Sequence, residues 1–221
     1  MSLTRYGTDV LWAVLIITVV LVGLALWSDE QWLRYILFAV ALFIVVFSLN
    51  FFRDPERTIK NEGRPIEKLV VCPADGKVVM VKETDEPEYL GGRAKLISIF
   101  MSPLDVHVNR SPMTGVVKYF RYIKGEFLVA HDSESSHRNE RALIGLETAG
   151  GQKVLFAQVA GYIARRIVCP VKIGDTLRVG QRFGMIKFGS RVDIYLPPSA
   201  NVLVKMGDLV RSGETILAEF P

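Results

Sequence analysis

Residues 172–188 read KIGDTLRVGQRFGMIKF, and residues 205–220 read KMGDLVRSGETILAEF. The second stretch repeats the first at an offset of 33, matching Lys172 with Lys205, Gly174 with Gly207, Asp175 with Asp208, Arg178 with Arg211 and Gly180 with Gly213. In each copy Gly-Asp marks a tight turn and the later glycine marks another, between short apolar runs. Two copies are too few for a solenoid, so the pattern predicts a small pseudo-symmetric β-sandwich or barrel. The sequence upstream agrees. After Pro65 the runs KLVVCPADGKVVMV, AKLISIFMS, TGVVKYFRYI and ALIGLETAGGQKVLFAQVAGY are rich in Val and Ile and bounded by turn residues. The polar stretch GEFLVAHDSESSHRNER reads as a loop, and residues 163–168 read as a short helix.

The K-x-G-D-x-x-x-x-G spacing resembles the half-motif of lipoyl- and biotinyl-like β-sandwich folds. Neither Lys172 nor Lys205 lies at the tip of a tight hairpin, so neither reads as an attachment site. Net charge is a mild +4 in 221 residues, with no block of like charges, which argues against a nucleic-acid partner. Cys72 and Cys169 are far apart, each precedes proline, and neither belongs to a C-x-x-C pair. That spacing argues against a metal site or a disulfide framework.

The N-terminal quarter differs. Residues 10–27 are an 18-residue apolar run without charge, and residues 32–52 are a second, with Arg34 near its start. At about 1.5 Å per residue either run approaches the thickness of a bilayer core. Only SDEQ separates them, which predicts an antiparallel transmembrane hairpin over residues 1–54 and a β-rich domain over residues 55–221. A signal peptide fits poorly, since no small-residue cleavage site follows the first run. Two buried core helices are the other alternative. Arg53, Arg57, Lys60 and Arg64 follow the second run while the connecting loop carries only acids, so both termini are expected in the cytoplasm, at the cell (inner) membrane.

The alternation of IKFGSRVDIYLP, residues 186–197, reads as strand, yet Gly189 and Ser190 interrupt it. Glycine in a strand interior marks a bulge or a close backbone approach. In MSPLDVHVNRSP, residues 101–112, an extended chain places Asp105, His107 and Asn109 on one face. PADG, residues 73–76, offers Asp75 in a turn. A serine hydroxyl attacks only when a base takes its proton; histidine does this near neutral pH, and a carboxylate can steady the imidazolium. Ser190, His107 and Asp75 could therefore act together. The hydrolase elbow G-x-S-x-G is absent around Ser190, which points away from attack on an external ester. His131 and His137 read as loop histidines.

The block GYIARRIVCPVKIGDTLRVGQRFGMIKFGSRVDIYLP, with FFRDPER, PADG, MSPLDVHVNRSP and NER in the same order, resembles the short membrane-bound, archaeal-type-like branch of the phosphatidylserine decarboxylase family. The resemblance covers essentially the whole chain. It implies a zymogen that cuts itself between Gly189 and Ser190 into a β chain, 1–189, and an α chain, 190–221. Ser190 would become a pyruvoyl group, which forms a Schiff base with the serine amine of a membrane phospholipid and accepts the electrons left by CO₂. By the same resemblance His107 is the base for Ser190, Asp75 orients it, and a homodimer is expected. Where longer relatives carry a second histidine this chain has Arg110, a candidate for the substrate phosphate or carboxylate, or else a surface arginine. FGSR also differs from the family's L-G-S-T and G-G-S-T, which leaves serine ether lipids open as substrates. Two further readings remain, a membrane-tethered lipoyl-like adaptor and a serine hydrolase. Both predict an uncut chain.

Overall fold

The chain has no Pro between residues 2 and 54 and few polar residues there, so hydrogen bonding within helices satisfies its backbone. The computed structural model describes residues 2–125, 139–161, 166–187 and 190–221. It divides into two compact units, Met1–Glu56 and Arg57–Pro221. In the first, strand β1 (Ser2–Leu3) precedes helices α1 (Thr8–Trp27) and α2 (Gln31–Phe51), and strand β2 (Arg53–Asp54) pairs back with β1. Helix α1 stops at Ser28, whose N–H donates to the Leu24 carbonyl at 3.0 Å, before the polar Asp29–Glu30 pair. Both helices are long and apolar enough to cross a membrane. Only 6% and 11% of their most apolar windows is buried, which argues against two soluble core helices.

Among the described residues, the regular secondary structure of the second unit is almost entirely strand. Its elements in order are β3 (Leu69–Val71), β4 (Gly76–Glu86), β5 (Gly92–Met101), β6 (Val108–Arg110), β7 (Gly115–Ile123), β8 (Arg141–Glu147), β9 (Lys153–Ala160), β10 (Arg166–Val168), β11 (Thr176–Leu177), β12 (Arg182–Lys187), β13 (Ser190–Leu196), β14 (Asn201–Val202), β15 (Leu209–Val210) and β16 (Ile216–Glu219). An eight-stranded sheet runs β11-β7-β8-β9-β13-β5-β4-β15, and two three-stranded sheets run β10-β12-β6 and β14-β16-β3. Every pairing is antiparallel. One apolar core joins all three sheets, with Val192 and Ile194 from the large sheet, Phe183 and Ile186 from one small sheet, and Leu217 and Val70 from the other.

The strands on either side of Gly189 belong to different sheets: β12 lies in a small sheet, and β13 is a central strand of the large one. The alternation of residues 186–197 therefore continues through a change of sheet. Residues 166–168, expected as helix, form β10 and pair with β12, Arg166 opposite Lys187. The β-branched Ile167 and Val168 suit that edge position, and tertiary pairing overrides the short helical pattern. The rest of the expected helix, residues 163–165, lies outside the described residues.

The repeat is structural and reaches further than its sequence match. The turns at residues 172–175 and 205–208 are built alike, with Lys172 N–H donating to Asp175 Oδ2 at 2.8 Å and Lys205 N–H to Asp208 Oδ2 at 3.0 Å. Gly174 and Gly207 sit at φ 94° and 99°, a region that favours glycine. Gly174 N–H donates to the Val117 carbonyl at 2.9 Å, and Gly207 N–H to the Val78 carbonyl at 2.8 Å. Gly180 N–H reaches the Ser111 carbonyl at 2.9 Å, and Gly213 N–H the Cys72 carbonyl at 2.8 Å. Residues 72–78 (CPADGKV) and 111–117 (SPMTGVV) are thus a second equivalent pair, and Asp75 corresponds to Thr114. Thr114 Oγ1 accepts the Val179 N–H at 3.0 Å; Asp75 Oδ1 accepts the Ser212 N–H at 2.8 Å. Replacing exposed Thr114 with Val removes one such bond. The expected cost is about 1 kcal/mol in urea unfolding, with no change in any activity.

Candidate active site

Ser190 opens β13 between β9 and β5, opposite Ala160 on one side and Met101 on the other. It is fully buried, and its hydroxyl donates to Met101 Sδ at 3.3 Å. A thioether is a weak acceptor, so this hydroxyl is held in place without a strong partner. On the same sheet face, Gln158 Nε2 donates to Asn109 Oδ1 at 2.8 Å, and Asn109 Nδ2 lies 3.7 Å from the same Met101 sulfur. Met101 therefore links Ser190 to the segment that carries His107. Asn139, from the NER stretch, donates through Nδ2 to the Ala160 carbonyl at 2.7 Å and so fixes the strand beside Ser190.

His107 is buried, with Nδ1 3.0 Å from the Asp105 carbonyl oxygen. A carbonyl only accepts, so a neutral ring carries its proton on Nδ1 and presents its lone pair at Nε2. The expected extended face of Asp105, His107 and Asn109 is not formed. Residues 102–105 make a turn in which Asp105 Oδ2 accepts the Ser102 N–H at 2.7 Å, and strand begins only at Val108. The Ser-Pro-Leu-Asp sequence has turn chemistry that outweighs alternation. Asp105 supports His107 through its backbone.

Asp75 lies at the start of β4, and both carboxylate oxygens have partners. Oδ1 takes the Ser212 N–H, and Oδ2 takes Arg57 Nη2 at 2.8 Å. Burial raises the Asp75 carboxyl above the ordinary aspartate range, opposed by the Ser212 N–H and by the positive charges of Arg57 and Arg110. Asp105 adds to the rise. Arg110 is buried at 2% exposure, which removes the surface-arginine alternative. Its backbone N–H donates to the Pro73 carbonyl at 3.0 Å. The same carbonyl accepts the Ser212 hydroxyl at 3.0 Å. Gly213, at φ 72°, makes room for this packing, because a Cβ there would stand 2.9 Å from Arg110 Cδ and 3.3 Å from Arg57 Cβ.

Asp75, Arg110, Asn109, Met101 and Ser190 thus converge where β4, β5, β6 and β13 meet. Arg57, Ser212, Glu214 and Gln158 complete the cluster, and none of them was singled out from sequence. Arg57 lies in the quoted FFRDPER stretch, where it reads only as a basic residue, and the equivalence of Ser212 with Val179 in the repeat is a second signal. Gly189, the other half of the expected cleavage site, and the loop histidines His131 and His137 lie outside the described residues.

Arg191 and Asp193 follow Ser190 on the opposite sheet face and form a fully buried ion pair, in which Nη2 donates to Oδ2 at 3.2 Å and Nε lies 2.9 Å from Oδ1. The charge-assisted bond between them ties down the strand just past Ser190.

Comparison with known proteins places this geometry. The family model described as phosphatidylserine decarboxylase matches residues 44–218. The chain is 47% identical over 201 residues to a phosphatidylserine decarboxylase proenzyme of Salinibacter ruber, covering 91% of this chain and 88% of that one. It is 50% identical over 183 residues to the proenzyme of that name from Symbiobacterium thermophilum, covering 83% of each. With the proenzyme of Chlorobium chlorochromatii it shares 44% identity over 221 residues, 99% of this chain and all of that one. A family model over most of the chain, with relatives 44–50% identical along most of their length, shows that this chain belongs to the phosphatidylserine decarboxylase family.

Proposed function

We propose that the chain is the proenzyme of a pyruvoyl-dependent phosphatidylserine decarboxylase, matured by attack of Ser190 on its own backbone. The observation that carries this reading is the placement of Ser190. It is the first residue of a strand clamped on both sides, just past the change of sheet, with a hydroxyl that among the described residues donates to the Met101 sulfur. His107 Nε2 takes the hydroxyl proton, and Oγ attacks the Gly189 carbonyl carbon. The C–N bond breaks, the residue 190 nitrogen takes up the proton, and an ester results. Loss of the residue 190 Hα with departure of the Gly189 carboxylate leaves dehydroalanine, and water replaces its nitrogen as ammonia. The products are residues 1–189 and a 32-residue α chain, 190–221.

The site suits the resulting group. Residue 190 is wholly buried, and the β5 and β9 pairings would hold a new chain end in place. A pyruvoyl ketone supplies an electron sink for loss of CO₂ from a serine amine. In this reading His107 also moves the proton that replaces CO₂. Arg110, buried beside Asp75, meets a substrate anion only where the cluster opens. Conversion of phosphatidylserine to phosphatidylethanolamine by purified protein in nanodiscs, with a blocked 32-residue fragment in the intact mass spectrum, is the expected result. An active but uncut chain would refute it.

The helical unit crosses the membrane in this reading, with both termini cytoplasmic and the catalytic unit at the headgroup layer. Two of the four basic residues after α2 contribute less to lipid attraction than their number suggests. Arg57 is bonded to Asp75 and Glu214, and Arg64 lies near Glu62 and Glu219. Lys60 lies 3.6 Å from Glu214 Oε2, but its side chain is 71% exposed, so it can still turn to anionic headgroups.

The raised Asp75 carboxyl yields a pH prediction. If Asp75 works as a carboxylate, self-cleavage weakens on the acid side from above the ordinary aspartate range, because the folded site holds that proton more tightly. Asp75→Asn removes this acid limb and slows processing about a hundredfold. Time courses of cleavage from pH 4 to 8 check both statements.

A further inference from the structure

The two halves of the repeat use the same backbone donor differently. In one, the Thr114 hydroxyl satisfies the Val179 N–H. In the other, Asp75 does the same for Ser212. A hydroxyl is therefore sufficient for the scaffold, and a buried carboxylate there carries a desolvation cost the fold does not require. Its second oxygen is the difference, and that oxygen is occupied by Arg57.

Arg57 uses its fork at both ends. Nη2 meets Asp75 Oδ2 at 2.8 Å, and Nη1 meets Glu214 Oε1 at 2.7 Å. Its side chain is 10% exposed, and those of Asp75 and Glu214 are 12% and 14% exposed. Glu214 lies two residues past Ser212, so Asp75 is gripped by the 212–214 segment twice, directly at Oδ1 and through Arg57 at Oδ2. Asp75 and Arg57 fall before Gly189, whereas Ser212 and Glu214 fall after it.

We propose that Arg57 is a positioning residue for maturation, holding the Asp75 carboxylate in place and charged by bridging it to Glu214 of the segment that becomes the α chain. This deepens the reading of Ser190 as a self-cleaving residue and rests on it. The ionisable groups facing Asp75 are Arg57, Arg110, Asp105 and the buried Cys72 thiol, with Glu214 behind Arg57. Arg57 and Arg110 favour the carboxylate; Asp105 opposes it, as does burial. Removing Arg57 leaves the balance to burial.

The test is the pH profile of self-cleavage by full-length protein synthesised into nanodiscs, for wild type, Arg57→Met and Arg57→Lys. Arg57→Met is expected to slow cleavage about tenfold at pH 7 and to move the acid limb up by about one pH unit, so that much of the lost rate returns at pH 8. Arg57→Lys keeps the charge but cannot bridge two carboxylates, so its limb stays near that of wild type while its rate falls severalfold. A uniform loss in Arg57→Met without a shifted limb would reduce Arg57 to a structural role and overturn the proposal. So would full wild-type rate in either variant. If Arg57→Met does not fold, as judged by melting temperature in a Ser190→Ala background, the Arg57→Lys rate and limb decide alone. Wild-type chain that stays uncut in the same reaction sinks the processing reading itself, which keeps the two failures apart.

Discussion

Ser190→Ala is expected to leave one chain of 24.7 kDa and to reduce decarboxylation to background. The expectation is absolute because the substitution removes the attacking oxygen, and with it the ester leaving group whose elimination would generate dehydroalanine and then the ketone. No other residue can supply a pyruvoyl group at the head of β13. The fold should tolerate the change. Among the described residues the hydroxyl has one acceptor, a sulfur at 3.3 Å, and the β5 and β9 pairings use the backbone, which alanine retains. Stability should therefore move by less than about 1 kcal/mol in urea unfolding. Mass spectrometry and circular dichroism on the same preparation separate loss of chemistry from loss of structure. A cut Ser190→Ala chain would place the nucleophile elsewhere.

His107→Ala is expected to slow self-cleavage by a factor of about 10²–10⁴, the usual worth of a positioned general base. Its ring is buried and its Nδ1 is tied to the Asp105 carbonyl, so the reactive nitrogen has one orientation. His107→Gln tests whether position alone suffices, since an amide is not a base at neutral pH. Slow processing in both variants, partly restored by added imidazole, fits proton abstraction. Wild-type rates in both would remove His107 from the first step. Where a slowly cut variant accumulates mature protein, its decarboxylation rate shows whether the same ring serves the second reaction.

What the sequence revealed and what it hid follow from range. The apolar helices are legible because their signal is composition over about twenty neighbouring residues. The Gly-Asp turns are legible because Lys172 and Asp175, or Lys205 and Asp208, bond within four residues. Ser190 stood out because glycine breaks a strand pattern locally. Arg57 and Glu214 meet across 157 residues, and nothing local announces that. The 72–78 and 111–117 pair was hidden because it shares few residues while sharing a backbone path. Asp105 was placed on a strand face because alternation was extended through a turn that its own side chain makes. Residues 166–168 became strand because β12 offered an edge.

The central position of β13 has a consequence for the finished enzyme. In the proposed processing, cutting the bond before Ser190 leaves a 32-residue chain that owns a middle strand of the large sheet together with β14, β15 and β16. Before cutting, unfolding and refolding are unimolecular. Afterwards a melted molecule is two molecules, and recovery needs a short, strand-rich peptide to find its partner before it aggregates. The precursor has an equilibrium stability; the mature enzyme has a lifetime, set by how slowly its sheets open. Its apparent melting temperature should rise with protein concentration where reassembly is possible, and with scan rate where it is not.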